Sequence, residues 1–208
     1  MTDIIPYLKN EWDQLTLTPS FDKAITENYF TKIINAYSEP QRAYHTTVHL
    51  QQIFKVLHDA GMTDESVFWA SFYHDYVYKP GAKDNEVLSA SIASNQMEHI
   101  GVDKTIIERV SDLIIATKNH TIGYDDELGK TFLDADMSIL GAASADYSDY
   151  VNSVRQEFSK TPGFLFKIGR SSFLKEVLSQ KRIYKTEWFF NRFEESARKN
   201  IQKELNSY

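Results

Sequence analysis

The 208-residue chain contains no cysteine. Disulfides, thiolate nucleophiles and thiolate-held metals are therefore excluded together, and a reducing compartment suits such a chain. Proline and glycine are scarce, at 5 and 8 residues. No apolar run approaches the ~18 residues that cross a bilayer, and the opening MTDIIPYLKNEWDQL has no basic stretch followed by an apolar one. The expectation is a cytoplasmic chain with no membrane partner. Basic residues do not predominate either: 23 Lys and Arg stand against 29 Asp and Glu, a net charge of −6. The basic face that an extended nucleic-acid footprint requires is missing, which leaves room only for a local basic pocket for a small phosphate compound.

What the chain has is 42% hydrophobic and 13% aromatic residues, enough for a packed core rather than a disordered tail. At this length one domain is expected, spanning 1–208. Apolar residues recur at helical spacing, as in Phe21, Ala24, Ile25, Phe30, Ile33, Ile34 and Tyr37. Most glycines and prolines fall where such patterns stop. The pattern predicts helices over about 3–15, 21–38, 43–60, 64–79, 85–100, 104–118, 131–140, 144–160, 164–180 and 186–205. Asp84 and Asp103 are suited to N-caps. The longest irregular stretch is Lys118 to Lys130, and strand signals are thin. The fold class is all-α.

Six histidines are present: His45, His49, His58, His74, His99 and His120. His45 and His49, four apart in an expected helix, share one face. His74 lies on the stripe of Val67, Ala70, Ser71, Val77 and Tyr78, and Asp75 follows it. In Phe132-Leu-Asp-Ala-Asp-Met-Ser-Ile-Leu140, Asp136 has apolar residues three and four positions away on both sides, whereas Asp134 points roughly 200° away. A carboxylate within an apolar stripe needs a hydrogen bond, an ion partner or a metal. His45, His74, Asp75 and Asp136 thus form a sulfur-free set of imidazoles and carboxylates. Such N/O ligation suits a divalent Mn, Mg, Fe, Co, Ni or Zn ion.

Arg42-Ala-Tyr-His45, His74-Asp75 and Ala135-Asp136, in that order, resemble the signature of the HD superfamily of metal-dependent phosphohydrolases. Tyr44-His45-Thr-Thr-Val-His49, His74-Asp75-Tyr-Val-Tyr78, Asn85-Glu86 and Leu133-Asp-Ala-Asp136 look like a small stand-alone group within it. The resemblance covers about residues 40–200. It implies an all-α HD-type bundle and one metal held by His45, His74, Asp75 and Asp136. It also implies hydrolysis of a phosphate ester of a small molecule, such as a nucleotide, by a metal-activated water. Some HD relatives carry further histidines and a second metal, and some are two-iron oxygenases. An alternative to both enzymes is a helical module that binds metal or ligand without catalysis.

The remaining residues each have two readings. Glu86, in the first turn of a helix, either orients and deprotonates the attacking water, alongside Asp75, or complements the helix dipole. His49 and His120 contact substrate or a second metal, or are a satisfied helix-face histidine and a dipole partner. Arg155 and Arg170 clamp phosphate through two parallel bonds, or pair with an acid such as Glu157. Lys79 touches phosphate or faces solvent. His58 and His99, near helix ends, read as surface or dipole partners.

Overall fold

The computed structural model describes residues 4–208, and among them there is no strand. Ten α-helices follow one another: α1 (Ile4–Thr16), α2 (Lys23–Ala36), α3 (Thr47–Asp59), α4 (Glu65–Tyr73), α5 (Asn85–Ile100), α6 (Lys104–Ala116), α7 (Glu127–Asp136), α8 (Ser144–Glu157), α9 (Gly163–Ser179) and α10 (Glu187–Leu205). A 3₁₀ turn, Met137–Gly141, continues α7. The all-α expectation holds. None of these helices is long and apolar enough to cross a membrane.

The chain divides into two compact units, 1–133 and 134–208. The division falls inside α7, which runs through it as one unbroken helix. In the first unit α1 packs on α3, and α6 packs on both α4 and α5. Its core centres on fully buried Trp12, whose indole meets Trp69 and Phe72 edge-on, both at 5.2 Å, a favoured geometry for aromatic pairs. In the second unit α10 packs against the 3₁₀ turn. The approach is close enough that a Cβ on Gly141 would stand 2.6 Å from Phe193 Cβ and 2.7 Å from its carbonyl oxygen. Asn200 Nδ2 donates to the carbonyls of Leu140 and Ala142 at 3.0 and 2.9 Å, satisfying the end of that turn.

Short polar side chains start several helices. Asp22, Thr46, Asp64 and Asp103 each accept first-turn N–H groups of α2, α3, α4 and α6. Asp84 precedes α5 but makes no side-chain cap bond, contrary to expectation. Gly101 ends α5 at φ +95°, a left-handed value that glycine adopts without penalty.

Three boundaries differ from the periodicity in ways that shape the site. Helix α3 starts at Thr47, not at 43, because Thr46 Oγ1 caps Val48 and the chain before it turns, with Thr46 N bonded to Tyr44 O at 2.7 Å. Helix α4 stops at Tyr73, not at 79. The backbone beyond it finds tertiary partners instead: Val77 N donates to Ser89 Oγ at 3.0 Å, and Lys79 N to Asn85 Oδ1 at 3.1 Å. Helix α7 starts four residues early, since Asp126 accepts Gly129 N at 2.8 Å while Arg109 grips the same carboxylate twice at 2.6 Å. The hydrogen bonds from Arg109 hold the Asp126 carboxyl below the usual range, against a smaller upward push from burial.

Candidate metal centre

The centre is assembled from turns at helix ends. His45 lies in the turn before α3, His49 in the first turn of α3, His74 caps α4 and Asp75 follows it. His45 and His49 therefore do not share a helix face, yet the turn brings their rings to 5.7 Å. His49 and His74 are each 2% exposed, and their Nε2 atoms stand 3.3 Å apart. Asp75 Oδ2 lies 3.1 Å from His74 Nε2 and 3.9 Å from Nε2 of both His45 and His49.

The hydrogen bonding of His74 shows what this cluster fits. Its Nδ1 lies 2.9 Å from the Ser71 carbonyl, an acceptor with no hydrogen to offer, so Nδ1 carries the proton. In the neutral ring Nε2 then presents a lone pair to a carboxylate oxygen and to a second imidazole. Lone pairs gathered in a buried space need a cation or a proton between them. Imidazole ligands are commonly oriented in this way, the far ring N–H held by a carbonyl. Three imidazoles and a carboxylate suit a divalent transition ion.

Asp136 is the last residue of α7, one turn beyond Phe132, whose ring meets that of His74 edge-on at 6.1 Å. Ligand atoms of His49, His74 and Asp136 all lie within 4.8 Å of one another. Among the ligands implied for the resemblance, His74 and Asp136 thus stand with His49, and His45 and Asp75 join through the distances above. His49, for which the sequence offers a substrate contact, a second metal or a satisfied helix-face histidine, is among the side chains here that could hold an ion.

Burial of the two α7 carboxylates is the reverse of the expectation. Asp134 is 1% exposed and Asp136 only half-buried. Phe132, Leu133 and Ala135 are all fully buried, so the last turn of α7 is enclosed nearly all round and periodicity no longer ranks its faces. Asp134 accepts from Lys185 N, Thr186 N and Thr186 Oγ1 at 2.8–2.9 Å. Burial raises its pKa, and these bonds only partly offset it.

Glu86 stands in the first turn of α5. Its Oε2 is buried and has no hydrogen-bond partner, which leaves an acceptor without a donor. The start of α5 is fastened to the loop carrying Asp75, because the Asn85 amide bonds both N and O of Lys79. His120 is half-buried, just beyond α6, at φ +48°, a conformation uncommon outside glycine. His58 pairs with Glu11 at 2.9 Å and His99 with Tyr29 at 2.6 Å.

Both arginines expected to clamp phosphate have other uses. Arg155 donates to the carbonyls of Phe158 and Thr161 and so closes the end of α8. Arg170 is buried, bonded through Nε and Nη2 to Glu204 at 2.9 and 3.1 Å and through Nη1 to Tyr150 at 2.9 Å. These bonds occupy the fork that a phosphate would need. Two contacts escaped the sequence reading: the Tyr78 ring stacks on His45 at 4.0 Å and 29°, and Ser71 orients His74. Aromatic character two positions after His-Asp-Tyr was visible; a backbone carbonyl has no sequence signal.

Comparison with protein-family models, curated proteins and solved structures finds no match to this chain.

Proposed function

We propose that the chain is a metal-dependent phosphohydrolase that cleaves a phosphate ester of a small molecule. The observation that carries this reading is the convergence of His45, His49, His74 and Asp75 within 3.1–3.9 Å contacts, with the His74 tautomer set by Ser71. The order of these residues in the chain, with Asp136 last, is that of the HD signature they resemble. A divalent ion held there would supply an acidified water and a polarised phosphoryl oxygen near neutral pH.

The chain's own residues have separable tasks. His45, His49, His74, Asp75 and Asp136 are the ligand candidates, and the His74 ring is turned by its second nitrogen toward the Ser71 carbonyl. Glu86, with its unpartnered oxygen, takes the proton of the attacking water. A cavity of about 410 Å³ lined by Lys32, Gln41, Tyr76, Tyr78 and Lys79 among others shares Tyr78 with the His45 stack. We place the organic part of the substrate there, with Lys32 and Lys79 as local cations. This work belongs in the cytoplasm, in keeping with a cysteine-free chain.

Elemental analysis of the purified protein, then a phosphate-release screen over nucleotides and sugar phosphates with Mn, Mg, Co and Ni, tests the reading. The expected result is a bound divalent ion and release abolished by chelator. A tightly held metal with no release from any ester would leave a structural site. The inclusion of His49 favours one second reading, a two-iron oxygenase, because the extra imidazole brings the ligand candidates to five. Two irons per chain with substrate-dependent oxygen uptake would replace the hydrolase.

A further inference from the structure

Arginine 42 is a charged side chain with no exposure, and burying a guanidinium is costly unless each face and donor is satisfied. Its bonds converge on backbone rather than on a counter-ion. Nη1 donates to the carbonyl of Asp75 at 2.7 Å and to that of His45 at 3.3 Å, and Nη2 donates to the carbonyl of Tyr76 at 2.9 Å. Only Nε meets a carboxylate, Glu39 Oε2 at 3.3 Å. The guanidinium carbon also lies 5.0 Å from the Tyr37 ring and 5.6 Å from the Tyr78 ring. Tyr78 in turn stacks on His45, and the Tyr37 hydroxyl accepts the Asp75 N–H at 3.1 Å.

Two non-helical segments carry His45 and Asp75, and neither has a helix ladder to hold it in place. We propose that Arg42 is the positioning residue of the centre, a planar clamp that ties the His45 turn to the Asp75 loop and so sets the distance between those two ligand candidates. The inference rests on reading the cluster as a metal centre. Lysine cannot substitute, because one rotating ammonium does not reproduce a rigid fork that reaches three carbonyls while stacking on aromatic rings. Arg42 touches neither metal nor substrate. It acts through loop geometry, as outer partners of metal ligands do.

Manganese binding to the purified, chelator-stripped protein, measured by calorimetry, tests the clamp. Arg42→Lys and Arg42→Ala should bind about 10- to 100-fold more weakly than the native chain. Free guanidinium at tens of millimolar should restore binding to Arg42→Ala, whereas ammonium at equal ionic strength should not. Tyr78→Leu, which keeps the backbone bonds and removes one stacking partner, should show a smaller loss and serves if the Arg42 variants do not fold by circular dichroism. Native-like affinity in Arg42→Lys, or rescue by ammonium as complete as by guanidinium, overturns the clamp alone. A native chain that binds no manganese or other divalent ion overturns the metal centre, and the clamp with it.

Discussion

A buried charge is tolerated only while its partner remains. Arg170 and Glu204 have side chains 7% and 3% exposed, so removing one leaves the other enclosed and uncompensated. Arg170→Met should destabilise the protein by about 3–5 kcal/mol in denaturant unfolding, and adding Glu204→Leu should recover most of that loss. Burial pushes the Glu204 carboxyl up, but bonds from Arg170, Tyr147 and Tyr208 outweigh it and hold the pKa below its ordinary 4.5. A carboxyl depressed in the folded state adds stability above its unfolded pKa and loses it as pH falls through the folded value. The stability gap between native protein and Glu204→Gln should therefore be full at pH 7 and shrink below about pH 4.5. Glu86→Gln tests the other unusual carboxylate. Turnover should drop about 10²- to 10⁴-fold with metal content unchanged, and wild-type turnover would remove Glu86 from the chemistry.

Elements were legible where periodicity and caps agree, as in α5, whose ends coincide with the expected 85–100, and in α6, capped by Asp103. They were misread where long-range partners replace the helix ladder. Nothing local in His74 to Lys79 announces that Ser89 and Asn85 will take those backbone groups. Order and spacing single out His45, His74, Asp75 and Asp136 as ligand candidates. The place of His49, the greater burial of Asp134 and the occupied forks of Arg155 and Arg170 depend on contacts 3 to 52 residues away in sequence. The asparagine–glycine seam of α10 and the 3₁₀ turn offers an element-scale test. Gly141→Ala drives a methyl against Phe193 backbone, which cannot yield as a flexible side-chain tip would, and should cost about 1–3 kcal/mol in thermal or denaturant unfolding.

Across the whole molecule charge is unevenly shared. The unit of residues 1–133 holds 11 Lys and Arg against 19 Asp and Glu, and that of 134–208 holds 12 against 10. The imidazole cluster thus lies in the acidic unit, whose field attracts divalent cations and repels free phosphate esters. Metal binding should weaken as salt rises from 20 to about 300 mM. Because an ion that binds only the folded chain stabilises it by mass action, saturating manganese at about 100 times its dissociation constant should add roughly 2.7 kcal/mol. For a chain of this size that is a rise of about 5–11 °C in melting temperature, reversed by chelator; an unchanged melting curve would count against the centre.

The seam inside α7 has a practical bearing on dissection. A fragment cut after Leu133 would keep the imidazoles, Asp75 and the Arg42 clamp, yet it would sever a helix three residues short of its end and discard Asp136. Such an excised piece is a natural Asp136 deletion, and any loss of ion uptake in it reports on one missing carboxylate as much as on half a protein.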